Sequence, residues 1–73
     1  LGKLGSLSGS EVCRVLVMHG FEEVRRRGSH IVMQKRTLDS TTTVPVPDHK
    51  TIRRGTLASI IRQSGVERAE FER

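Results

Sequence analysis

Gly28-Ser29 is the feature that most constrains how this chain can fold. Two extended runs, Phe21 to Arg27 and His30 to Thr37, meet at those two residues. A two-residue link with glycine in it is the signature of a tight hairpin, so the two runs must pair antiparallel. In the second run Ile31 and Met33 fall on one face and His30, Val32 and Gln34 on the other. Alternation alone leaves open which face meets the rest of the protein.

The flanking segments follow the helical period. Ser8 stands three residues before Glu11, a capping-box spacing, and Val12, Val15, Leu16 and His19 recur on one helical face until Gly20. A first helix over about Gly9 to His19 is predicted. After a polar turn at Asp39-Ser40-Thr41, Thr42 to Val46 reads as a third strand, and Pro45 and Pro47 place it at a sheet edge. Asp48 to Ile52 is a loop. Leu57, Ile60, Ile61 and Ser64 then repeat at helical spacing up to Gly65. Val66 to Arg73 reads as a short terminal turn that returns Phe71 to the core. The order predicts an α+β domain, a three-stranded antiparallel sheet packed against two helices with a short helical turn at the C-terminus. At 73 residues there is room for one domain: residues 8–73, after a loose lead-in over residues 1–7.

The chain carries 13 Lys and Arg against 8 Asp and Glu, a net charge of +5. Five of the cations lie in positions 25 to 36 and four in positions 50 to 62, and neither window holds an acid. Such clustering points to a polyanion, nucleic acid above all, against the plainer reading of solvated faces. The single Cys13 excludes an internal disulfide and, among Val12, Val15 and Leu16, reads as a buried, inert thiol. No apolar run is long enough to span a bilayer, and Leu1 to Ser10 lacks the apolar centre of a signal peptide, so a cytoplasmic protein with no membrane partner is expected. The three histidines show none of the short spacings of a zinc site. Neither metal nor cofactor is expected.

His30 is the candidate for chemistry. Histidine can take and give a proton near neutral pH, and arginines fork onto phosphate oxygens. RNA suits such a group because its 2′-hydroxyl is an internal nucleophile: a base takes its proton, the adjacent phosphorus is attacked, and a cyclic phosphate forms without a metal. The plainer reading of His30 is a polar residue finishing a hairpin. Candidate phosphate contacts are Arg26, Arg27, Lys35 and Arg54, with Gly28 and Ser29 allowing close approach of the substrate backbone and Lys50 adding charge. His49, in Pro47-Asp48-His49-Lys50, is either an acid partner for His30, a phosphate contact, or a loop residue with Asp48 organising the backbone. Arg53-Arg54-Gly55-Thr56-Leu57 opens the last helix, whose free N–H groups suit an anion. His19 reads as a structural group at the end of the first helix.

Taken together, Gly20-Phe21, the Arg-x-x-Gly-Ser-His run ending at His30, Val44-Pro45-Val46-Pro47-Asp48-His49, and Gly55-Thr56-Leu57 through Ile60-Ile61-Arg62-Gln63-Ser64-Gly65 resemble the HicA toxins of HicA/HicB toxin–antitoxin systems. The resemblance runs from Leu7 to Phe71. It implies a fold like the double-stranded RNA-binding domain, α-β-β-β-α, and activity as a ribosome-independent mRNA interferase. It also implies a HicB-like antitoxin as protein partner and mRNA as substrate, with His30 of the Gly28-Ser29-His30 motif as the catalytic residue. The alternative, from another class, is a double-stranded RNA-binding module without enzymatic activity.

Overall fold

A computed structural model describes residues 5–72. The order is α1 (Gly9–Met18), β1 (Glu22–Arg27), β2 (His30–Arg36), β3 (Thr41–Pro47) and α2 (Arg54–Ser64), followed by a 3-10 turn over Arg68–Phe71. The three strands form one antiparallel sheet in the order β1-β2-β3. This is the α-β-β-β-α arrangement expected above, with element ends within a residue or so of those read from the sequence.

Local chemistry accounts for the boundaries. The Ser8 hydroxyl accepts from the Glu11 N–H at 3.1 Å and the Glu11 carboxylate accepts from the Ser8 N–H at 2.9 Å, a closed capping box at the start of α1. The helix stops at Met18, with His19 as its cap and Gly20 at φ +96° turning the chain. Gly65, at φ +71°, ends α2 in the same left-handed region.

The core decides which sheet face is covered. Ile31, Met33, Val44 and Val46 are buried with Val12 and Leu16 of α1, Leu57 and Ile60 of α2, and Phe21, Ile52 and Phe71. Both helices therefore lie against the Ile31/Met33 face. His30, Val32 and Gln34 belong to the opposite, uncovered face, which resolves the ambiguity left by the alternation. Phe71 is 1 % exposed, so the terminal turn does return to the core. It is tied there by His19 Nε2, 3.1 Å from the Glu70 carboxylate. Leu7 departs from the loose lead-in assigned to residues 1–7. It is 4 % exposed and its carbonyl accepts from the Ile52 N–H at 2.8 Å, because the strand-to-helix loop needs an apolar neighbour and a backbone partner there. Gly5 and Ser6 are exposed and irregular, and residues 1–4 of that lead-in lie outside the described residues.

Every residue of β1 is exposed. Glu23 pairs with Met33 and Arg25 with Val32, so Val24 is the extra residue of a bulge. Beyond the bulge, Arg26 pairs with Ile31 and Arg27 with His30. Directly paired residues share a face, so Arg25 and Arg27 lie on the uncovered face with His30, and Arg26 lies on the helix side with Ile31.

Cys13 is half-buried rather than sealed in the core. Burial, then the negative charges of Glu23 and Asp48, outweigh the opposing Arg26 and push its thiol up to about 11. Against an ordinary thiol at 9.0 that is a thiolate fraction about 100-fold lower at neutral pH. Alkylation by iodoacetamide at pH 7.5 is expected to be slower than that of a free cysteine by about that factor, read by mass spectrometry over time. A rate equal to that of free cysteine would contradict the assignment.

Candidate active site

His30 opens β2 directly after the hairpin turn. Gly28 sits at φ +59°, and among the described residues none other than glycine has positive φ, which fits a turn that needs the left-handed region only at its first central position. That turn sets Arg27 opposite His30, and on the other side His30 pairs with Pro47. Arg27, His30 and Pro47 thus form a row across the uncovered face. His30 is exposed, and its side chain makes no hydrogen bond or ion pair within the described residues.

Two shallow clefts meet at His30. One, of about 350 Å³, runs over Pro45 and Pro47 to Gly55, Thr56, Ser59 and Gln63 of α2. The other, of about 390 Å³, is walled by Pro47, His49, Thr51, Ile52, Arg53 and Thr56. His30, Pro47 and Thr56 belong to both, so the imidazole stands on the ridge between them. The α2 end of this surface has no side-chain cap and no acid in its first turn. Its first N–H groups and the Arg53 guanidinium present positive charge to whatever enters.

The cations named from the sequence separate into groups. Arg27 lies beside His30. Arg26 does not: its Nη1 is 2.6 Å from Asp48 Oδ2 and its Nη2 3.9 Å from Glu23, and chiefly the Asp48 hydrogen bond raises its already high pKa. Lys35 is on the helix-side face, five residues and about 16 Å along the strand from His30. Its ammonium sits 6.0 Å from the centre of the Phe21 ring and its stem packs beside Gly20. Arg54 lines an adjoining depression with Gly5, Ser6 and Thr51, and of the two arginines it is Arg53 that also reaches the His30 cleft. Lys50 is exposed in the loop and lines neither cleft. Gly28 and Ser29 form the turn itself, and the Ser29 carbonyl accepts from the Asp48 N–H at 2.6 Å.

His49 is brought to the same cleft as His30. Asp48 contributes to the loop as expected, though through its amide and its ion pair with Arg26 rather than by a local turn bond. Arg25, which the sequence reading did not select, shares the His30 face. The signal was there: a two-residue turn sets Arg27 opposite His30, and alternation then puts Arg25 on that face and Arg26 on the other.

Among the described residues no group of three or more His, Cys, Asp or Glu could hold a metal, and no helix is long and apolar enough to cross a membrane. A protein-family model described as the HicA toxin of bacterial toxin–antitoxin systems matches residues 9–66, from the start of α1 to just past α2. No curated protein matches the chain.

Proposed function

Because the chain belongs to the HicA toxin family, we propose that it is the toxin of a toxin–antitoxin pair and acts as a metal-independent endoribonuclease on mRNA, with His30 as its acid–base group. The observation that carries the reading is the row Arg27–His30–Pro47: an unpartnered imidazole on an uncovered face, paired with an arginine across the hairpin and lining two clefts toward α2.

In this mechanism neutral His30 takes the proton of a ribose 2′-hydroxyl. The freed oxygen attacks the adjacent phosphorus, and the bond from phosphorus to the 5′-oxygen breaks as that oxygen gains a proton. The products are a 2′,3′-cyclic phosphate and a 5′-hydroxyl. Charge that builds on the pentavalent phosphorus is met by Arg27 and Arg25 from β1 and by Arg53 at the start of α2. A HicB-like antitoxin is the expected protein partner, and covering His30 is how it would silence the site.

A 2′-deoxy substitution at the cut position of an RNA oligonucleotide is expected to stop cleavage there, while excess chelator leaves the rate on all-ribose RNA unchanged. Mass spectrometry of the upstream product should show the cyclic phosphate. Cutting of the deoxy-substituted strand, or loss of activity in chelator, would overturn the mechanism. Binding of duplex RNA without cleavage would favour a plain RNA-binding module.

A further inference from the structure

We propose that this is a two-histidine site: His49 supplies the proton to the departing 5′-oxygen, and the Arg26–Asp48 ion pair is the strut that positions His49 against His30. The inference rests on the RNA-cleaving reading of His30 and assigns the other half of its proton transfer.

The loop over residues 47–49 is fastened at three points. The Asp48 N–H donates to the Ser29 carbonyl at 2.6 Å, which ties it to the hairpin turn one residue before His30. The His49 carbonyl accepts from the Gly9 N–H at 2.8 Å, which ties it to the start of α1. Across the top, the Asp48 carboxylate receives the Arg26 guanidinium from β1 at 2.6 Å. Fastening of this kind is what holds a side chain on such a loop in a fixed position. The side chain that follows is His49, on the wall of the cleft that also contains His30.

The charges agree with that use. An unpaired Asp48 beside a phosphate-binding cleft would repel substrate, and Arg26 cancels it. Arg26 stands between Asp48 and Glu23, so its charge is already committed, whereas Arg27 and Arg25 are left for phosphate. The charged groups around the histidine pair are Arg27, paired with His30 across the hairpin, Arg53 before α2, and Asp48 neutralised by Arg26; α1 brings the Gly9 backbone to the loop and the Cys13 thiol within the field of Asp48. One turnover balances: His30 gains the proton of the 2′-hydroxyl, protonated His49 loses one to the 5′-oxygen, and exchange with water restores both. Thr51 and Thr56 line the same cleft and can hold the phosphate between the rings.

The test is the pH dependence of kcat/KM on RNA, paired with a leaving group that needs no proton. The full-length protein should give a bell, rising as His30 becomes neutral and falling as His49 loses its proton. His49→Ala is expected to lose the alkaline limb and about 100-fold in rate on ordinary RNA. It should cut a substrate with a 5′-thio leaving group as fast as the parent protein does. Asp48→Ala should move in the same direction, and the exchanged pair Arg26→Asp with Asp48→Arg should regain most of the loss. An alkaline limb that survives His49→Ala, while His30→Ala is inactive, would overturn the second histidine and leave the parent reading intact. Cleavage retained by His30→Ala would instead remove the parent reading. Independently of cleavage, the His49 ring signals in an NMR spectrum should shift and broaden in Asp48→Ala, and unchanged signals would overturn the strut.

Discussion

His30→Ala is expected to lower RNA cleavage by roughly three orders of magnitude, the scale on which positioned acid–base groups act, with no change in the far-ultraviolet circular dichroism or the melting temperature. The separation of activity from stability follows from where the ring stands. His30 is exposed and no described side chain depends on it for a hydrogen bond or ion pair. Its backbone pairing with Arg27 and Pro47 does not use the imidazole. Surface replacements of this kind alter stability by about 0.5 kcal/mol or less. Ile31 and Met33, the residues of β2 that do carry packing, are on the other face. A variant that still cuts RNA at more than a tenth of the parent rate would show that the proton transfer belongs elsewhere. One that lost activity together with its cooperative melt would show that His30 supports the fold.

How much of this was legible beforehand depended on the range over which each feature is decided. Ser8 with Glu11, Gly20, Gly28-Ser29 and Gly65 act within a few residues, and each marks the boundary that its chemistry predicts. Pro45 and Pro47 correctly put β3 at an edge, since an edge strand can lack donors. Alternation gave the partition of β2 but not its sense, because the choice of covered face is made by α1 and α2, which are remote in sequence from Ile31. The Val24 bulge left no sequence signal that we can identify. Lys35 and Arg26 stand apart from His30 for one reason: a cation's place in a charged run says nothing of its face, and both lie on the helix side. Leu7 looked like tail because its neighbours are Gly and Ser, yet one leucine suffices to close the core over Ile52. The meeting of His49 with His30 is a tertiary fact, set by strand register and a loop braced from α1 and β1.

That brace gives Gly9 the closest backbone approach of any described glycine. Gly9→Ala is expected to destabilise the protein by about 2 kcal/mol, roughly 10 °C in melting temperature for a domain of this size. Gly55, in the first turn of α2, is expected to tolerate alanine with no loss. A β-carbon at Gly9 would overlap the Pro47 carbonyl oxygen and stand 3.0 Å from the Asp48 Cα, both backbone atoms that cannot swing aside. The start of α1 would have to withdraw from the end of β3. That breaks the Gly9–His49 hydrogen bond and strains the adjacent one between Ile52 and Leu7. Overpacking of about 2 kcal/mol and a lost backbone bond of about 1 kcal/mol then add. Alanine's better helix propensity returns less than about 1 kcal/mol, so sterics win. At Gly55 a β-carbon meets nothing within 4 Å, and only the propensity term remains. Thermal melts of the two variants therefore differ in sign, and equal melting temperatures would refute the close approach of α1 to the loop. Because the same contact seats His49, Gly9→Ala should also lose its alkaline pH limb at temperatures where it is still folded. A stability defect with a normal pH profile would mean that the loop moves without taking the histidine along.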